Sequence, residues 1–159
     1  MSTDTNISRM ARQLQKTLIT IRRDIHQHPE LGFKEHRTQK TITRILTSLG
    51  LDRVRERMGR TGVVGILHGG QRGGSVVALR ADMDALPITE VTPVPYRSIH
   101  PGVMHACGHD GHVAACLGAA MMAQSALLFL EQGGIPQTSK PRKGTRAACR
   151  VSSPPSGYR

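Results

Sequence analysis

Five side chains able to hold a metal or carry a proton fall within eight residues: His105, Cys107, His109, Asp110 and His112, interrupted by Gly108 and Gly111. A cysteine thiolate and an imidazole are the side chains best matched to a borderline-soft divalent cation. In Cys107-Gly108-His109 the glycine relaxes the backbone, so that both neighbours can turn to one ion. A thiolate can also bridge two cations, which suits a dinuclear hydrolytic centre. From residue types alone, a buried structural cysteine among surface histidines is an equal alternative. A weaker second signal is Asp82-Met83-Asp84. Carboxylates at a strand end can ligate a cation or fix a ligating imidazole, although acidic residues there also serve as ordinary turn or capping groups.

The elements that must position these groups read as α/β. Ile7, Met10, Ala11, Leu14, Leu18, Ile21 and Ile25 recur at steps of three or four and predict a helix of about six turns that ends at His28-Pro29. Thr38, Ile42, Ile45, Leu46 and Leu49 predict a second helix closed by Gly50. Both helices are expected on one face of a sheet. Gly62–His68 and Ser75–Ala81 read as a hairpin joined by a glycine-rich turn, the second strand apolar enough to be covered on both faces and running directly into Asp82-Met83-Asp84. Four prolines between 87 and 101 predict an irregular segment, which delivers the Cys-Gly-His cluster to an apolar helix from about Val113.

Composition narrows the function classes. The 159 residues leave room for one ordinary domain, with 38% hydrophobic content and no tryptophan. Of the net charge of +11, residues 126–159 contribute six basic side chains against Glu131, and the remainder is scattered over the chain. With 3% aromatics and no recognisable motif, a nucleic-acid partner is not expected. Val113–Leu130 reaches the lower length limit of a membrane span, but its alanines, Gly118 and polar lead-in favour a buried helix and no membrane partner. Three cysteines form no paired framework, and Arg9, Arg12 and Lys16 interrupt the N-terminal apolar positions. A cytoplasmic protein without a signal peptide is therefore the expectation.

Four ordered blocks carry a family resemblance: Arg23-Asp24-Ile25-His26-Gln27-His28-Pro29-Glu30-Leu31-Gly32; Gly59-Arg60-Thr61-Gly62-Val63-Val64-Gly65; Leu79-Arg80-Ala81-Asp82-Met83-Asp84-Ala85-Leu86-Pro87; and Met104-His105-Ala106-Cys107-Gly108-His109-Asp110-Gly111-His112. Together they resemble the hippurate hydrolase and auxin-conjugate hydrolase amidohydrolases over roughly residues 8 to 124. The resemblance implies a zinc-peptidase-like αβα sandwich, incomplete here, with the family's inserted lid domain absent. It also implies two divalent metals, of which zinc, manganese, cobalt and nickel are not distinguished, and a small-molecule N-acyl amino acid as substrate. By position, Cys107 and His109 would be metal ligands, and Asp84 would take the catalytic acidic place that orients or tunes a ligand. Asp82, His105 and His112 lie inside matched blocks without an assigned role.

The resemblance also implies a later strand ending in a Glu-Glu pair, one glutamate acting as general base and the other as ligand. After His112 the sequence has no histidine, and Glu131 is its last carboxylate side chain. Residues 1–125 are therefore expected to be a partial catalytic domain. Residues 126–159, basic and rich in Pro, Ser and Gly, are expected to be a poorly packed tail from a truncated or frameshifted reading frame. The expected activity is weak or absent, and the alternative is a non-catalytic metal-binding remnant. Oligomeric state is left open.

Overall fold

The computed structural model describes residues 3–70, 74–131 and 145–151. Helix α1 (Thr3–Gln27) carries its apolar stripe through half-buried Leu14, Leu18 and Ile21 to the wholly buried Ile25. Pro29 restricts the residue before it, and the helix stops there. In α2 (His36–Ser48) the buried face is Thr38, Gln39, Ile42 and Leu46. Its unpaired first-turn N–H groups are met from outside the helix: the Glu30 carboxylate accepts from Arg37 N at 2.9 Å and Thr38 N at 2.8 Å. Gly50, at φ +69°, closes the other end, its N–H donating to the Thr47 carbonyl at 3.0 Å.

Four strands follow the order β1-β2-β4-β3: β1 (Arg53–Met58), β2 (Gly62–Leu67), β3 (Ser75–Ala81) and β4 (Thr145–Val151). The pairs β1–β2 and β2–β4 are antiparallel, and β4–β3 is parallel. Helix α3 (His109–Glu131) packs with α2 against the sheet, and α1 packs against α3. The common core joins Ile25, Ile42, Leu46, Val63, Ala81, Met83, Val113, Cys116, Leu117 and Ala120.

Several expectations change. The strands at 62–67 and 75–81 do not form a hairpin. The hairpin partner of β2 is β1, and β4 lies between β2 and β3. Strand β1 was missed because Arg-Val-Arg-Glu-Arg-Met offers almost no apolar alternation. It is an exposed edge strand whose charges discourage pairing with other chains. Ser75–Arg80, expected to be covered on both faces, is exposed, and only Ala81 is buried. Helix α1 sits on α3, while α2 takes the sheet-facing place expected of both. Helix α3 runs to Glu131, past the expected boundary at 125, and Thr145–Val151 is a strand rather than loose tail. The remainder of the expected tail, 132–144 and 152–159, lies outside the described residues. Cys107 is a free, exposed thiol, whereas Cys116 is disulfide-bonded, a bond the expectation of no paired framework did not include.

By length and composition α3 could cross a bilayer, and 39% of its most apolar window is buried within the fold. Its first half is core, with Val113 and Leu117 wholly buried, whereas Leu128, Phe129 and Leu130 are exposed.

The contact between α1 and α3 is close because Gly118 has no side chain. A Cβ there would meet Leu18 Cδ1 at 2.8 Å. Gly118→Ala is expected to stay within about 1 kcal/mol of the parent, since the gain of about 1 kcal/mol in helix propensity offsets a small shift of the Leu18 tip. Gly118→Leu must push Leu18 and α1 outward and should cost about 1–3 kcal/mol. Urea unfolding of the two variants measures this, and equal midpoints would mean that α1 and α3 do not pack this tightly.

Candidate metal centre

Beyond β3 the chain continues as Asp82–Leu86, pinned on both sides. Ala85 N donates to the Glu30 carbonyl at 2.8 Å, while Leu86 and Met104 exchange backbone hydrogen bonds at 2.9 and 3.0 Å. Side chains alternate along this extended segment. Met83 and Ala85 point into the core, and the Asp84 side chain is 12% exposed. Asp82 turns back and pairs with the Arg80 guanidinium.

His105 to Gly108 form a turn, in which Gly108 N donates to the His105 carbonyl at 3.2 Å. Gly108 adopts φ +77°, a left-handed conformation that a side chain would strain, and α3 begins at the next residue. His109 enters the first turn with Nδ1 3.0 Å from both Asp84 Oδ1 and the Asp84 carbonyl oxygen. Two acceptors at one ring nitrogen place the proton there and leave the Nε2 lone pair free. The structure thus brings His109 and Asp84 together and leaves the Cys107 thiol exposed two residues before His109. His112 is exposed, with its ring 5.6 Å from that of His109.

These donors suit a divalent cation. An imidazole turned by a carboxylate through its far nitrogen is the usual state of a metal-bound histidine, and a neighbouring thiol supplies a soft donor. Among the described residues, no group of three or more His, Cys, Asp or Glu side chains converges as a metal cage. Cys107 and His109 are the neighbouring candidate donors among the described residues, with Asp84 behind His109.

A second polar assembly, not foreseen from the sequence, adjoins the first through Asp110. This carboxylate is fully buried, and its Oδ2 accepts from Arg22 Nε at 2.7 Å and His26 Nδ1 at 2.9 Å. His26 Nε2 faces Glu90 Oε1 at 3.1 Å, and Glu90 Oε2 accepts from Ser98 N at 2.7 Å. Tyr96 stands edge-on to the His26 ring, with the Arg23 guanidinium 4.8 Å from its own ring centre. Burial pushes the Glu90 carboxyl up, but the Ser98 N–H and His26 outweigh it and hold the group below the usual carboxylate range. Burial likewise opposes the Arg22 charge, and Asp110 and Tyr96 more than offset it, leaving the guanidinium more firmly protonated than usual. The available sequence signal was His26 beside Ile25, a polar residue at the buried end of an apolar stripe.

The sequence pattern of Peptidase family M20/M25/M40 matches residues 78–134, which include Asp84, Cys107 and His109. The chain belongs to this family. A probable hydrolase of Synechocystis is 47% identical over 116 residues, 73% of this chain and 29% of the relative. The hippurate hydrolase of Campylobacter jejuni is 50% identical over 107 residues, 67% of this chain and 27% of the relative. Among solved structures, the YXEP protein of Bacillus subtilis, a dinuclear metal-binding peptidase of the M20 family, aligns with TM-score 0.73 and 36% identity. That alignment covers 88% of this chain and 35% of the other. The chain thus spans less than a third of the length of these curated relatives. Its fold is α/β, a partial sheet with helices, like the M20 catalytic domains.

Within this M20 framework His105 stands apart. It is 3% exposed, and neither ring nitrogen has a hydrogen-bond partner among the described residues. Burial pushes its imidazole down to about 4, against the opposing pull of Asp110. A histidine lowered from 6.5 on folding leaves stability intact above pH 6.5 and removes it as the pH falls towards 4, where the unfolded chain takes up the proton first. Glu90, lowered from 4.5, adds a further loss only below that value. Metal-free protein should therefore lose stability between pH 6.5 and 4.5, and His105→Leu should flatten this part of the profile. Urea midpoints at several pH values measure it, and the same slope in both proteins would exonerate His105.

Proposed function

We propose that this chain carries part of the metal centre of an M20 hydrolase of N-acyl amino acids, with hippurate as the test substrate and two divalent cations in the full centre. The observation that best supports this is the His109 ring held by Asp84 with Nε2 left free, two residues from an exposed thiol. Cys107 Sγ and His109 Nε2 would hold the cation, and Asp84 would keep the imidazole turned and its Nδ1 protonated. A bound divalent ion would supply polarisation of the acyl carbonyl and an acidified water.

General bases contribute roughly 10²- to 10⁴-fold, and after His112 the sequence offers only Glu131, at the exposed end of α3. We therefore read these 159 residues as metal-binding and weakly active or inactive. The two-donor set also favours a second reading, a metal-binding remnant without catalysis. The change in composition near residue 125 supports a shifted reading frame. Sequencing the locus tests this, because no Glu-Glu strand in another frame downstream would remove the idea. A cytosolic setting goes with the proposal and requires Cys116 to be mostly a thiol in the cell, which alkylation of freshly lysed material would read.

Cobalt titration is expected to give a thiolate-to-metal absorption band that Cys107→Ser abolishes. Asp84→Asn should weaken binding roughly 10- to 100-fold with the band retained. A cobalt spectrum without sulfur character overturns the assignment. Hippurate turnover by loaded protein, lost in Cys107→Ser, would favour the enzyme over the remnant.

A further inference from the structure

The proposed metal chemistry leaves unused a linked set of charged groups, three of them buried. Arg22 and His26 come from α1, Glu90 from the segment before the metal-binding turn, and Asp110 from the first turn of α3. The His26, Glu90 and Asp110 side chains are 6%, 2% and 0% exposed. Both ring nitrogens of His26 face carboxylate oxygens, Nδ1 that of Asp110 and Nε2 that of Glu90. Three stretches far apart in sequence therefore meet on one imidazole.

The Asp110 side of this arrangement bears on the ligands. Asp110 follows His109 directly, and its carboxylate is tied to α1 while the His109 ring is tied to Asp84 beyond β3. The first turn of α3 is thus held from both sides. Arg22, with 38% of its side chain exposed, can be replaced in part by water at Asp110. His26 cannot, because its ring is shut away from solvent. Losing its Nδ1 contact would take one of two donors from a buried carboxylate whose Oδ1 already lacks a partner among the described residues, and so drive the first turn of α3 to shift towards water.

We propose that His26 is a positioning residue for the metal site, acting through Asp110 to fix the first turn of α3 and so the placement of His109 and the turn that carries Cys107. The inference rests on the reading of Cys107 and His109 as ligands. It assigns separate tasks to the two ring nitrogens: Nδ1 serves the ligands through Asp110, and Nε2 serves the 88–104 segment through Glu90.

Amide side chains separate these tasks, since an asparagine NH2 can stand where Nδ1 stood and a glutamine NH2 where Nε2 stood. His26→Gln is expected to weaken cobalt binding by the full chain roughly 10- to 100-fold, the usual effect of losing a group that orients a ligand. His26→Asn should recover most of that loss. Thermal unfolding of the metal-free variants runs alongside, because a role in filling space would lower both and leave their cobalt affinities alike. Should His26→Gln fail to fold, Asp110→Asn keeps the shape and should also weaken cobalt binding. Equal affinity in the Gln and Asn variants, or unchanged affinity in Asp110→Asn, overturns the inference while the thiolate band of the parent protein leaves the ligand assignment standing. A parent protein without that band overturns both.

Discussion

A carboxylate with no access to water sets the geometry of this fold. Moving an ion such as Asp110 from water to a protein interior costs several kcal/mol, about as much as a large part of the net stability of a domain, unless donors replace its hydration. Arg22 and His26 supply donors to Oδ2 from α1, while Oδ1 has no partner among the described residues. The apolar contact of Leu18 on Gly118 brings α1 and α3 close, but a purely apolar seam tolerates a slide of one helical turn. A carboxylate that has to meet two particular donors does not. Register between the two helices therefore comes from the polar contact and proximity from the apolar one, and the segment from 88 to 104 follows because Glu90 shares the same imidazole.

The sequence was legible wherever one side chain's neighbours are near in sequence. Helices α1 and α2 follow from local periodicity, from Pro29 and from Gly50, α3 follows from a long apolar run, and the residue types at Asp84, Cys107 and His109 stand out by chemistry alone. Strand pairing was not legible. The partner of β2 and β3 is a stretch of Thr-Arg-Ala-Ala-Cys-Arg-Val, whose small and basic residues show no alternation, and β1 is hidden by its arginines. The His26 assembly was hidden for a different reason. Its contacts span 64 and 84 residues, and nothing at position 26 announces a carboxylate so far along the chain.

The apolar surface left open among the described residues gathers on one side of the sheet and at one helix end. β3 is an edge strand, and Val76, Val77 and Leu79 remain 63%, 45% and 44% exposed, with Leu128, Phe129 and Leu130 open at the end of α3. Apolar edge strands pair readily with other chains, and exposed apolar patches associate. The contrast with β1, an edge guarded by charge, locates this liability at the β3 side of the sheet.

The order in which folding and metal loading occur follows from what holds each part. In small zinc modules the ion is the core, and without it the chain is unfolded. Here Ile25, Ile42, Leu46, Val113 and Leu117 form a core that includes no proposed ligand, and the first turn of α3 is fixed by protein groups alone. His109 is already turned by Asp84, so a cation arriving at its Nε2 has little side-chain freedom left to remove. Such preorganisation would raise the affinity of the proposed donors without increasing their number. On the proposed reading, such a site would take up and release its ion while the fold persists, with occupancy set by ion concentration rather than by folding.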